Sequence, residues 1–212
     1  MAAQLFRPPP VRRGIVREQV QPESDPDVVA MLAFKRGDEE AFVRLYRAWR
    51  DRVFRFAGRL LGDAAAAEEA AQEVFLKVYQ ARLRYEPRSR FSTFLYRIAT
   101  NHCLKIRERH DHARTDRDGE MDLRVSAAPG AETQAGQSQL RAALRKALAS
   151  LPDRQGAAFL LCHYDGLSLR EAADVLGVSQ GAVKSLVHRA RTALCETLTP
   201  WSDDAGEVSH AL

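Results

Sequence analysis

The chain has 212 residues, 45% of them hydrophobic and 28% charged, with a formal net charge of +4. This length allows one or two domains with a sizeable core, and no apolar run approaches a membrane span, so membrane insertion is not expected. Its three cysteines, Cys103, Cys162 and Cys195, are odd in number and far apart, which supports neither a disulfide framework nor a zinc site and points to reduced thiols in a cytoplasmic protein.

Helix formers dominate at helical spacing, so the expected fold class is all-α. Residues 1–24 hold Pro8, Pro9 and Pro10 with Arg7, Arg12, Arg13 and Arg17, and read as a disordered, solvated basic arm without the apolar core of a secretory signal. Pro26 after Asp25 fits the first turn of a helix. Its expected apolar face is Val28, Val29, Leu32 and Ala33, and Gly37 stops it. Asp38 caps a long helix that turns Ala41, Phe42, Leu45, Tyr46, Trp49, Val53, Phe56, Leu60 and Leu61 inward before Gly62. Asp63 caps the next, with Ala67, Ala70, Ala71, Val74, Phe75, Val78 and Tyr79 inside. Its early turns carry Glu68, Glu69 and Glu73, which are favourable near a helix N-terminus.

Pro87 breaks the chain, and a helix is expected from about Ser92. Residues 84–109 hold seven cations against two acids, with Phe91, Phe94 and Tyr96 interleaved. Basic residues mixed with aromatics suit single-stranded nucleic acid, because phosphates take the cations and unstacked bases take the rings. Phe94 alone reads better as core. Residues 111–138 change character, with three cations against six acids and no sustained helical stripe. A flexible acidic linker there divides the chain into domains at 25–110 and 139–198. A helix over 139–150 ends at Leu151-Pro152, Asp153 caps another, and Asp165-Gly166 makes a turn.

The stretch Ser168–Cys195 reads as a helix-turn-helix. Ser168 and Glu171 form a capping box, Gly177 ends the first helix, and Ser179 caps the second. Val183, Leu186, Val187, Ala190 and Leu194 make one buried stripe. Gln180, Lys184, Ser185, His188, Arg189 and Arg191 remain on the outside, a basic face suited to a DNA recognition helix. Residues 199–212 read as a disordered tail. No nucleophile elbow, phosphate-binding glycine loop or HExxH occurs, so neither an enzyme, a metal site nor a cofactor is expected.

Four segments in this order resemble the extracytoplasmic-function group of bacterial sigma factors: GDEEAFVRLYRAW, AAQEVFLKVYQ, FSTFLYRIATNHCLKIRER and LPDRQGAAFLLCHYDGLSLREAADVLGVSQGAVKSLVHRAR. The resemblance implies core RNA polymerase and promoter DNA as partners, and admits an anti-sigma factor. It implies that Glu69, Gln72, Glu73 and Phe75 dock on the polymerase. It implies that Asn101 captures a flipped base of the opened minus-10 element, with Arg88, Arg90, Arg97, Lys105 and Arg107 on phosphates. Lys184, Ser185 and Arg189 match positions that read the double-stranded minus-35 element, beside His188, with Arg191 on phosphate. Leu186 stands where the family usually has arginine and Ala182 where it has threonine, so a shifted promoter preference is expected. Two other readings fit the same residues: a free-standing helix-turn-helix regulator, and a helical anti-sigma or adaptor protein.

Overall fold

A computed structural model describes residues 24–115 and 135–198, and side chains at 24–110 and 142–198. Eight α-helices occur among them and no strand: α1 (Pro26–Lys35), α2 (Glu39–Leu61), α3 (Ala64–Gln80), α4 (Phe91–Thr115), α5 (Ala135–Ser150), α6 (Asp153–His163), α7 (Leu169–Leu176) and α8 (Gln180–Leu198). Helices α1–α4 make an N-terminal bundle and α5–α8 a C-terminal one. Residues 1–23 of the expected arm at 1–24, the middle of the expected linker at 116–134 and the tail at 199–212 lie outside the described residues.

The N-terminal caps follow the sequence closely. Asp25, Asp38 and Asp63 each accept a hydrogen bond from a backbone N–H in the first turn of the helix that follows. Gly62 takes the left-handed φ of 76° that closes α2, a conformation costly for a side chain bearing Cβ. The N-terminal core is built on rings: Trp49 meets Phe91 at 6.0 Å and Tyr96 at 6.1 Å, and Phe56 meets Tyr96 at 5.4 Å. Burying each such side chain stabilises the fold by about 2 kcal/mol. The Trp49 indole donates to Asp27 at 3.0 Å, and the other carboxylate oxygen of Asp25 accepts from the Phe91 amide at 3.3 Å. These two bonds fasten the start of α1 to α2 and α4.

Several boundaries and faces differ from expectation, Tyr46 of α2 among them, which is exposed rather than turned inward. Helix α1 buries Val28, Met31 and Phe34 and leaves Val29 exposed. The helix is apolar nearly all round, and its inward face is set by Phe34 packing on Phe42 and Tyr79, 4.8 and 5.1 Å away. Helix α4 runs to Thr115 and α5 starts at Ala135, so helix enters both ends of the expected 111–138 linker. Asp153 is not a cap: Pro152 precedes α6 without a side-chain cap, and Asp153 sits in its first turn, paired with Arg107.

The two bundles touch. Helices α2 and α4 lie against α5, α6 and α7. Gly156 packs on Leu60, Arg59 lies 4.2 Å from the ring centre of Tyr164, and a Cβ placed on Gly62 would stand 3.0 Å from that of Ala149.

Candidate nucleic-acid and polymerase interfaces

Helix α4 sorts its basic residues by angle around its axis. Arg97, Asn101 and Lys105, four residues apart in turn, are exposed together. Such spacing sets side chains above one another on one face. Tyr96, Thr100 and Cys103 are buried on another side of the same helix, and Arg107, one turn beyond Cys103, continues that side. Arg107 is only 16% exposed and sits against the C-terminal bundle. Its guanidinium donates to the carbonyls of Leu60, Ala149 and Leu151 at 3.0, 3.2 and 2.9 Å and pairs with Asp153. Arg90, also largely covered, lies 3.7 Å from Glu171. Arg88 is exposed and pairs with Glu86 at 2.6 Å.

Two of the rings expected to stack on bases, Phe91 and Tyr96, are core instead, and Phe94 is packed against the core as expected. Phe91 and Tyr96 are fully buried, and Phe94 packs edge-on against Tyr85 at 4.9 Å. Their alternation with cations follows from an amphipathic helix, in which one face is the core and the other is wet.

Helix α3 presents Glu69 and Gln72 to solvent, with Glu73 half-buried beside them. Phe75 belongs to the core, 4% exposed and edge-on to Tyr46 at 4.9 Å. It supports the helix from behind and is not offered to a partner. Leu76, 48% exposed, extends the outer face by one turn. Next to it, Lys77 contacts the His102 ring across the α3–α4 seam. Burial first, and then the Lys77 charge, lower the His102 pKa and keep the ring neutral near pH 7.

In the C-terminal bundle the helix-turn-helix forms as its local chemistry dictates. The Ser168 amide donates to Glu171 at 2.8 Å, and the Glu171 amide donates back to the Ser168 hydroxyl at 3.2 Å. Gly177 takes a φ of 64°, and Ser179 accepts from the Ala182 amide at 3.2 Å. Helix α8 buries Val183, Ala190 and Leu194, with Leu186 and Val187 partly buried. Lys184, Ser185, His188 and Arg189 lie exposed on its opposite side. Arg191 is half-buried, and its charge adds to burial in lowering the pKa of His163.

Contacts between the bundles escaped the sequence reading. Tyr96, buried in the N-terminal core, donates its hydroxyl to Asp165 in the turn after α6. Burial pushes the Asp165 carboxyl up to about 6 against the opposing pull of Tyr96, Arg59, Arg52 and Arg55. A polar cavity of about 280 Å³ opens beside this bond, with Asp25, Asp27, Arg52, Arg90 and Glu171 on its walls. Among the described residues no group of three or more His, Cys, Asp or Glu side chains is placed to hold a metal ion.

Comparison with known proteins places this geometry. The family model for Sigma-70 region 2 matches residues 40–113, and that for Sigma-70, region 4 matches residues 141–194. The two halves are thus those of an RNA polymerase sigma factor. The ECF RNA polymerase sigma factor SigE of Mycolicibacterium smegmatis is 36% identical over 192 residues, covering 89% of this chain and 74% of its own. ECF sigma factor SigW of Bacillus subtilis is 30% identical over 178 residues, covering 77% of this chain and 92% of its own. In a co-crystal structure with the anti-sigma factor NepR, the sigma factor RpoE from Bartonella quintana superposes with a TM-score of 0.61 at 25% identity, over 74% of this chain and 96% of that one. The chain belongs to the extracytoplasmic-function family of RNA polymerase sigma factors.

Proposed function

We propose that this alternative sigma factor binds core RNA polymerase through the outer face of α3 and grips a promoter at two places. Helix α8 enters the major groove of the minus-35 element. The outer face of α4 takes the opened strand of the minus-10 element. The observation that carries this reading is the presence of two separate wet basic faces in one chain, Arg97–Asn101–Lys105 on α4 and Lys184–Ser185–His188–Arg189 on α8.

Each face suits its task. A helix with a packed back and exposed Lys, Ser and Arg reaches base edges in a major groove, where arginine pairs bidentately with guanine O6 and N7. An asparagine flanked by cations one turn away on either side matches an unpaired base held between neutralised phosphates. On α3, Glu69 and Gln72 with the exposed Leu76 offer charge, hydrogen bonding and one apolar anchor. Charges of this kind favour specificity and association rate over raw affinity. No helix among the described residues is long and apolar enough to cross a membrane, which accords with work on the chromosome in the cytoplasm. An anti-sigma partner is consistent with the complex in which RpoE was solved.

The reading is tested with purified protein, core polymerase and a genomic promoter library. The protein should start transcription from a subset of promoters sharing an upstream element. Arg189→Ala should weaken that subset by about 1–3 kcal/mol in a way that depends on the upstream sequence. Equal loss on all promoters would make Arg189 a phosphate contact. Absence of any start site would defeat the sigma-factor reading.

A further inference from the structure

Helix α3 carries an ion pair that its sequence favours and its structure does not make. Glu73 and Lys77 stand four residues apart with the acid first, the order in which a helix pairs opposite charges best. Yet among the described residues none forms an ion pair or hydrogen bond with the Glu73 carboxylate. Lys77 turns instead across the α3–α4 seam, where its ammonium contacts Nδ1 of His102.

The chemistry of that contact fixes the state of the ring. An ammonium has three donors and no acceptor, so Nδ1 offers its lone pair and the single ring proton lies on Nε2. Glu69, Glu73 and Lys77 of α3 and Arg109 of α4 all act on this ring. Burial and the two cations outweigh the two carboxylates and hold the ring in the neutral form, the one that can accept. A second observation puts the Lys77 charge on the inner side of α3. It acts on the thiol of Cys103, a buried residue of α4, where it opposes the upward push of burial. A lysine extended into solvent would be screened from that thiol.

Resting on the docking of α3 on polymerase, we propose that His102 is a positioning residue for that docking: its ring holds Lys77 in the seam and so keeps the Glu73 carboxylate open to the polymerase. Without the acceptor, Lys77 returns to its nearest opposite charge, one helical turn back. A carboxylate already paired offers a partner less charge, and the old pair must break before a new one forms. His102 also follows directly on Asn101, which is exposed on the outer face of α4. One step along α4 thus separates a residue that serves the polymerase face from one that serves the opened strand.

The test is the affinity of the full chain for core polymerase, read by competition with a labelled copy. His102→Ala removes the acceptor without weakening the helix, since alanine is the best helix former. It should raise Kd about twofold, the worth of one such pair. His102→Asn supplies a neutral side-chain acceptor in the same place and should bind as the unaltered chain does. Adding Lys77→Met to His102→Ala removes the competing charge and should restore the lost affinity. A role for His102 in packing alone would not respond to Lys77 in this way. Glu73→Gln should raise Kd at least as much as His102→Ala, and combining the two should cost nothing more. The proposal is overturned if Glu73→Gln weakens binding while His102→Ala does not, or if Lys77→Met fails to rescue. Unchanged binding in Glu73→Gln defeats the docking reading of Glu73, and the proposal with it.

Discussion

At the scale of single residues, angle around a helix decides role. Asn101 and Arg107 sit six residues apart in one basic run, yet Asn101 is exposed and Arg107 is held at the bundle interface. An exposed amide carries two donors and an acceptor, which suits the edge of an unpaired base. Asn101→Ala should therefore slow promoter opening by about tenfold, the value of one well-placed base contact. Binding to the closed duplex should change by less than twofold. Permanganate reactivity of the opened thymines reports the first quantity and filter binding the second; losses of equal size in both would remove Asn101 from strand capture. Composition marked the segment that holds Arg97 and Lys105, and the family resemblance added Asn101 within it. Composition could not separate them from Arg107, because a count of cations is blind to the 3.6-residue turn. The signal was available in the helical spacing of Tyr96, Thr100 and Cys103, the buried stripe that Arg107 extends.

Elements became legible where their chemistry is local. Ser168, Glu171, Gly177 and Ser179 specify two helices and the turn between them through bonds that span three or four residues. The helix-turn-helix could thus be drawn from sequence before any tertiary contact was known. Ser168→Ala should remove the hydroxyl that accepts the Glu171 amide and cost about 1 kcal/mol of stability. Ser168→Asp should restore most of it, as a second good cap, in urea titrations of the full chain followed by circular dichroism. Full stability in Ser168→Ala would mean that packing of Ala172, Ala173 and Val175 alone fixes the start of α7. Helix α1 shows the opposite case. With Val28, Val29, Met31, Leu32, Ala33 and Phe34 in sequence, several faces are equally apolar, and only the partners Phe42 and Tyr79 select one. The rings of α4 belong with α1. Their place in the core depends on Trp49 and Phe56, some forty residues earlier in the chain.

At the scale of the whole molecule, the least legible feature was the contact between bundles, since each of its bonds joins residues more than forty positions apart. Asp165 gives that contact a pH dependence whose sign follows from linkage. Its carboxyl titrates at about 6 in the closed form because burial disfavours the charge. In an open chain it would return toward the ordinary aspartate value near 3.9. The closed form therefore binds the proton more tightly. Its advantage is complete below about pH 4, erodes by up to about tenfold per unit as pH rises, and is gone above about 6. Tyr96 and the cations Arg52, Arg55 and Arg59 face this carboxyl, and Asp25, Asp27, Arg90 and Glu171 share the cavity beside it. The arginines keep their charge throughout, so they limit the shift without reversing it. Sedimentation of the full chain should show a more compact particle at pH 5 than at pH 7.5. Asp165→Asn, which keeps the acceptor for Tyr96 and abolishes the titration, should stay compact at both. Should Asp165→Asn expand with pH as the unaltered chain does, another group governs the opening.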